Sequence, residues 1–250
     1  MIPSSPADQT ASGLARSASS SAMTWDVYGP EPTTLDNSRI QQLIDGTRIP
    51  SLSSVIDLVR MSGQGQVRIS IEAKYDPTDA SLPTLERDAL SMAIVNTLRT
   101  EKFANRAYIQ SFDWEILQIV QHLAPEIPTV YLTSGYGEDE TLEVGKPEPS
   151  KWTGSFNVNN YDGSVAHAIK AAGGGIWSPD SSGLESAQIK QAHDLGISVL
   201  AWTVNAPAEI AQFVDQGVDG INTDYPDRLR KILIEKGRPV PSPWSVPVVD

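Results

Sequence analysis

The 250-residue sequence predicts an α/β fold of the TIM-type (β/α) barrel class, incomplete, with about six of the eight β/α units visible. Two observations carry this. Short apolar runs alternate with segments of helical spacing, which implies a parallel sheet joined by right-handed crossovers. The stretch QVRISIEAK at 66–74 reads as a buried strand that ends in polar groups. Side chains alternate along a strand, so Ile69, Ile71 and Ala73 share one face while Ser70, Glu72 and Lys74 share the other. A strand that only packs a core has no use for a carboxylate and an ammonium at its C-terminal end, whereas a barrel delivers such groups to a ligand at its mouth. The competing fold, an open doubly wound sheet, would carry a glycine-rich phosphate loop after an early strand. None is present, and Gly173-Gly174-Gly175 precedes a strand, as a turn does.

Residues 1–35, rich in Ser, Pro, Thr and Ala, form a poorly ordered N-terminal segment on this reading. The barrel domain occupies 36–236, and a Pro-rich tail follows at 237–250. Leu35–Ile44 is a short helix. Ser51 caps a second helix over 51–61, with Leu52, Val55, Ile56 and Val59 at helical spacing. Strands follow at 67–73, 106–110, 127–133, 175–178, 197–204 and 218–222. Helices are expected at 85–100, 113–123, 164–172, 184–195, 207–216 and 226–235. Leu85, Ala89, Met92, Ala93, Ile94 and Val95 mark the apolar side of the first of these, and Asp113 suits the N-cap of the next. Pro207 and Pro226 start the last two helices, where a missing N–H costs nothing. Tyr136–Asn160 is a long polar insertion over the barrel, a functional or mobile element.

Composition excludes several functions. The net charge is −12 and no Lys/Arg cluster appears, which argues against a nucleic-acid partner. Without cysteine there is no disulfide, thiolate metal site or thiol nucleophile. No apolar run approaches the roughly 18 residues of a transmembrane span. The N-terminal residues lack the apolar core of a signal peptide.

Three blocks fit together: IPSLSSVIDL at 49–58 leading to ISIEAK at 69–74, YIQSFDWEIL at 108–117, and HDLGISVLAWTVNAPAEIAQFVDQGVDGINTDYPDRL at 193–229. In order and spacing they resemble the glycerophosphodiester phosphodiesterase family from about Ile49 to Leu233. The resemblance implies a TIM barrel that hydrolyses glycerophosphodiesters to an alcohol and glycerol 3-phosphate with Ca²⁺ or Mg²⁺. It makes Glu72 a metal ligand, Lys74 a contact to the substrate phosphate, and Trp202 an aromatic wall of the substrate pocket. It also implies a periplasmic or secreted parent.

The family's N-terminal blocks, a His-Arg-Gly strand end with a Pro-Glu-Asn-Thr turn, a Glu-x-Asp strand end and a His-Asp pair, carry its catalytic histidines and other metal carboxylates, and none of these blocks is found ahead of the segment at 49–58. The resemblance thus describes a member without its first two β/α units, and no catalytic residue is assigned. His122, His167 and His193 fall in predicted helices and read as structural. Asp224 reads as a helix cap, and Gln110 and Ser111 as strand-end groups able to reach a ligand. The alternative to a phosphodiesterase is a noncatalytic barrel, a binding module or inactive remnant. Two unpaired sheet edges with apolar inner faces would make either one self-associate.

Overall fold

The computed structural model describes residues 48–61, 65–79, 85–135 and 140–241. The N-terminal segment, the expected helix at 35–44 and most of the Pro-rich tail lie outside the described residues. Six strands form one sheet in the order β1 (Ile69–Glu72), β2 (Ala107–Ser111), β3 (Thr129–Thr133), β4 (Ile176–Pro179), β5 (Ser198–Ala201) and β6 (Gly220–Ile221). Every neighbouring pair is parallel. Sequential order with parallel pairing is the topology of six consecutive units of a TIM barrel, so the described residues form the incomplete barrel read from the sequence.

Among the described residues seven α-helices accompany the strands: α1 (Leu52–Met61), α2 (Arg87–Thr100), α3 (Trp114–Leu123), α4 (Val165–Ala171), α5 (Ser186–Asp194), α6 (Pro207–Gln216) and α7 (Pro226–Glu235). Ser51 caps α1, its Oγ accepting from Ser54 N at 3.2 Å. Asp113 caps α3 by accepting from Ile116 N, also at 3.2 Å. The buried face of α2 is Leu90, Ser91, Ile94, Val95 and Leu98. Met92, expected on that face, is exposed. The stripe that packs follows the i, i+4 row from Leu90 through Ile94 to Leu98, and Met92 lies off it.

The core lies between the helices and the outer face of the sheet. In β2, Ala107, Ile109 and Ser111 are buried while Tyr108 and Gln110 are only half-buried. In β5, Val199 and Ala201 are buried while Ser198 and Leu200 are half-buried. The alternation therefore separates a helix-covered face from a partly open inner face. Tyr131 shows which is which: its hydroxyl donates to Ala172 O at the end of α4 and accepts from Gln121 Nε2 of α3. Burial pushes this phenol up to about 12. At the turn before β4, a Cβ on Gly174 would lie 2.5 Å from Ile169 Cγ2 and 2.7 Å from the Tyr131 ring, so only glycine lets the chain pass this close to the core.

The insertion is a docked element. Thr141 N donates to Ser134 O at 2.8 Å, and Asn157 Nδ2 and Asn159 Nδ2 donate to Pro147 O and Lys146 O. Leu142, Thr153 and Val158 are buried. Trp114 N donates to Trp152 O at 2.9 Å, which ties the insertion to the first turn of α3.

Candidate active site

Strand β1 ends at Glu72, two residues before Lys74, although Ala73 N still donates to Gln110 O at 2.8 Å and extends the ladder by one bond. Glu72 pairs with Gln110 in register, so both leave the sheet on the inner face. Lys74 Nζ lies 3.4 Å from Glu72 Oε1, with the lysine mostly exposed. The two polar groups of the QVRISIEAK stretch thus form an ion pair at the C-terminal end of β1. An exposed pair of this kind adds little to stability.

Trp202 follows β5 and stands opposite Asp180 in a parallel bridge, which sends both side chains to the inner face. Its Nε1 donates to Ser178 O at 2.8 Å. Its ring meets Phe112 edge-on, with centroids 5.5 Å apart, and Phe112 meets Trp152 of the insertion at 6.2 Å. Phe112 follows β2, so a ring from the end of β2 reaches one from the end of β5. Lys74, Phe112, Asp180 and Trp202 thus stand beyond the C-terminal ends of their strands, and Glu72 closes its own.

Beneath this mouth lies a buried ionic support. Asp113 is fully buried, and Arg87 Nε donates to its Oδ2 at 2.8 Å while the guanidinium also pairs with Glu115 and covers the Tyr75 ring. Burial raises the pKa of Asp113 above the ordinary carboxylate value, and Arg87 draws it back in part.

Several sequence readings change here. Ser111 cannot reach a ligand: it is fully buried on the outer face, and its Oγ donates to Ala73 O at 2.7 Å. Asp224 does not cap α7, whose N-cap position is Tyr225. Instead Asn205, just past β5, takes it: Asn205 Nδ2 donates to Asp224 Oδ2 at 2.8 Å and Asp224 N donates to Asn205 Oδ1 at 3.0 Å. The three histidines do lie in helices, α3, α4 and α5. His193 Nε2 sits 2.9 Å from Asp219 Oδ2, and that same oxygen accepts from Val199 N, so this pair ties α5 to the starts of β5 and β6. Phe112, Trp152 and Asp180 were not singled out by sequence. Phe112 carried a readable signal, since it alternates with Gln110 in the strand-end block, whereas Trp152 carried none.

The sequence model of the glycerophosphoryl diester phosphodiesterase family matches residues 14–228. The chain belongs to this family. A glycerophosphodiester phosphodiesterase of Bacillus subtilis (strain 168) is 26% identical over 188 residues, which cover 75% of this chain and 55% of that protein. A dermonecrotic toxin of Loxosceles intermedia is 33% identical over 127 residues, 44% of this chain and 40% of the toxin. The chain therefore spans about half the length of the curated relatives it matches. A crystal structure from Silicibacter pomeroyi DSS-3, of the glycerophosphoryl diester phosphodiesterase type, superposes with a TM-score of 0.62 at 30% identity, covering 79% of this chain and 60% of that one. A glycerophosphodiester phosphodiesterase from Parabacteroides distasonis ATCC 8503 shares the fold, with a TM-score of 0.56 at 20% identity over 79% of this chain and 69% of its own.

The phosphodiesterase family is generally dependent on a divalent metal. Ca²⁺ and Mg²⁺ take about six or more oxygen ligands. Among the described residues, no group of three or more His, Asp or Glu side chains could hold such an ion. Glu72 offers one carboxylate, already partnered by Lys74. The described residues by themselves therefore do not fit the metal. Among them no helix is long and apolar enough to cross a membrane.

Proposed function

We propose that this chain acts on glycerophosphodiesters at the mouth of its strands, releasing an alcohol and glycerol 3-phosphate. The observation that carries the reading is that, in a member of this family, Glu72, Lys74 and Trp202 stand on the inner face at one end of the sheet. In this role Lys74 meets the phosphate as a point charge and steadies the negative charge that grows on its oxygens. Trp202 forms the wall against which the organic part of the substrate lies. A requirement for Ca²⁺ or Mg²⁺ belongs to the proposal, with Glu72 as one oxygen ligand. The three helical histidines take no part.

The test is release of glycerol 3-phosphate from glycerophosphocholine by the purified chain with Ca²⁺ or Mg²⁺ present, beside Glu72→Ala and Lys74→Gln. Removing the lysine should lower the rate about 100-fold, the scale of losing one transition-state electrostatic contact. A noncatalytic barrel that only binds the diester is the second reading, favoured by the position of all three histidines in helices. It predicts binding that Lys74→Gln weakens, with no product formed. A folded chain that neither binds nor cleaves the diester would sink both.

Self-association is a further part of the proposal. Among the described residues β1 and β6 each have a strand neighbour on one side only. Ile49, Leu58, Met61 and Val67, all upstream of β1, are exposed. Beside β6 a groove of about 320 Å³ is lined by Val214, Val218, Ile221, Leu229 and Leu233 among others. Apolar surface next to an open sheet edge favours association. Light scattering should show oligomers that Leu58→Glu with Met61→Glu shifts toward monomer. A wild-type monomer at all working concentrations would contradict it.

A further inference from the structure

We infer that the buried Asp113 is a positioning residue for Lys74: through Ser111 and Arg87 it holds the chain on both sides of the lysine and so fixes where the ammonium meets a phosphate. The phosphate part of this statement rests on the function proposed above, whereas the hold on the chain can be tested without it.

Lys74 does little to fix itself. Its side chain is mostly exposed, and among the described residues its one partner is Glu72, at 3.4 Å. An exposed pair of this kind does not hold a long side chain in one geometry. The neighbours on either side are held instead. Ala73 is buried, its N donates to Gln110 O at 2.8 Å, and its O accepts from Ser111 Oγ at 2.7 Å. That hydroxyl accepts in turn from Asp113 N at 3.1 Å. On the other side, the guanidinium of Arg87 covers the Tyr75 ring, 4.5 Å from its centroid, and Arg87 Nε donates to Asp113 Oδ2 at 2.8 Å. Both routes meet at one residue. The backbone N of Asp113 serves Ala73, and its carboxylate serves Tyr75.

Helix capping alone does not account for this arrangement. Asp113 caps α3 with Oδ1, and a Ser, Thr or Asn would do so without burying a charge. Nor does stability call for the pair, since replacing a buried ion pair by apolar groups of like volume is often neutral. What the pair adds is direction. Arg87 is the first residue of α2, and its planar guanidinium is fixed on three sides: Nε by Asp113, Nη1 by Glu115 at 3.2 Å, and its face by the Tyr75 ring. The first turns of α2 and α3 thus grip the start of the loop that carries Lys74. Beyond Tyr75 the loop closes on itself, with Asp76 Oδ1 accepting from Thr78 N at 2.7 Å and from Thr78 Oγ1 at 2.6 Å. A misplacement of about 1 Å is enough to cost a positioned group most of its effect on a reacting centre.

The experiment is a double-mutant cycle on the full chain. Ser111→Ala, Tyr75→Leu and Tyr75→Phe are made alone and together with Lys74→Gln, and binding of glycerol 3-phosphate is measured by calorimetry with Ca²⁺ or Mg²⁺ present. Ser111→Ala cuts the route to Ala73 and Tyr75→Leu the route to the guanidinium, whereas Tyr75→Phe keeps the ring. Ser111→Ala and Tyr75→Leu should each weaken binding about tenfold, Tyr75→Phe should bind as the wild type does, and none should add to the loss caused by Lys74→Gln. Hydrogen exchange of the Ala73 amide should accelerate in Ser111→Ala and Tyr75→Leu, while that of the Ile109 amide, bonded to Pro128 O, should not. Losses that persist in full beside Lys74→Gln, or binding untouched by either loosening variant, would overturn the positioning role and leave Lys74 as a phosphate contact. If glycerol 3-phosphate is not bound, or if Lys74→Gln binds it as the wild type does, the phosphate part falls with the function proposed above and exchange decides the rest. Acceleration at Ala73 without acceleration at Ile109 then supports the hold on the chain, and any other pattern overturns it.

Discussion

Arg87→Met is expected to destabilise the fold by about 3 kcal/mol at neutral pH, because it strips a fully buried carboxylate of its charged partner. Asp113 would keep only its helix-capping bond from Ile116 N and the electrostatics of the α3 N-terminus. The loss should depend on pH in a definite direction. Burial already raises the folded-state pKa of Asp113, and Arg87 is the group that lowers it. A carboxyl whose folded pKa is raised contributes stability that is full below its unfolded pKa and is lost as pH rises through the folded one. Without Arg87 the folded pKa climbs further, so the unfavourable window widens upward. The deficit of the variant should therefore be largest at neutral pH and shrink as acid protonates Asp113. Urea unfolding at neutral and at mildly acid pH reads this directly. A deficit that stays constant or grows toward acid would show that the buried charge is not what Arg87 serves. The same substitution also uncovers Tyr75 and frees Glu115. Arg87→Lys separates these effects, since it keeps a charge but loses the planar contact with Tyr75.

What could be read in the sequence was set by local chemistry. Helices α6 and α7 begin and end where expected, because Pro207 and Pro226 start them and Gly217, with φ at +84°, closes α6. Strand ends were read less well. β1 was expected over 67–73 and spans Ile69–Glu72, since the extent of a strand depends on the neighbour it pairs with. The period of two correctly grouped Glu72 with the inner face, and it held a usable signal for Phe112. The contact of Phe112 with Trp202 was beyond its reach, because it depends on how far the sheet curls between β2 and β5. Asp224 shows the opposite failure. An Asp shortly before a Pro-started helix has the look of a cap, yet a side chain nineteen residues earlier, Asn205, claims it. Trp152 stands in a polar insertion without periodicity, and only the bond from Trp114 N reveals where it docks.

Trp114→Ala should have the largest effect of any substitution considered, about 4 kcal/mol, the usual scale for truncating a buried tryptophan. Trp114 is 1% exposed. Its ring meets Tyr131 edge-on at 5.0 Å and leans on Phe156 of the insertion at 6.4 Å. Loss of the ring opens a cavity between β3, α3 and the insertion, and takes an aromatic pair with it. A domain has about 5–15 kcal/mol of stability in all, so the variant should remain folded with a narrow margin. The damage should also be uneven. The backbone bond from residue 114 to Trp152 O survives the substitution, but the packing that presses Phe156 against α3 does not. Amide exchange across 140–164 should therefore accelerate more than exchange in β2 or β5, whose amides lie in the sheet. Uniform acceleration of exchange throughout the domain would mean that Trp114 supports the core alone and that the insertion keeps its place without the ring.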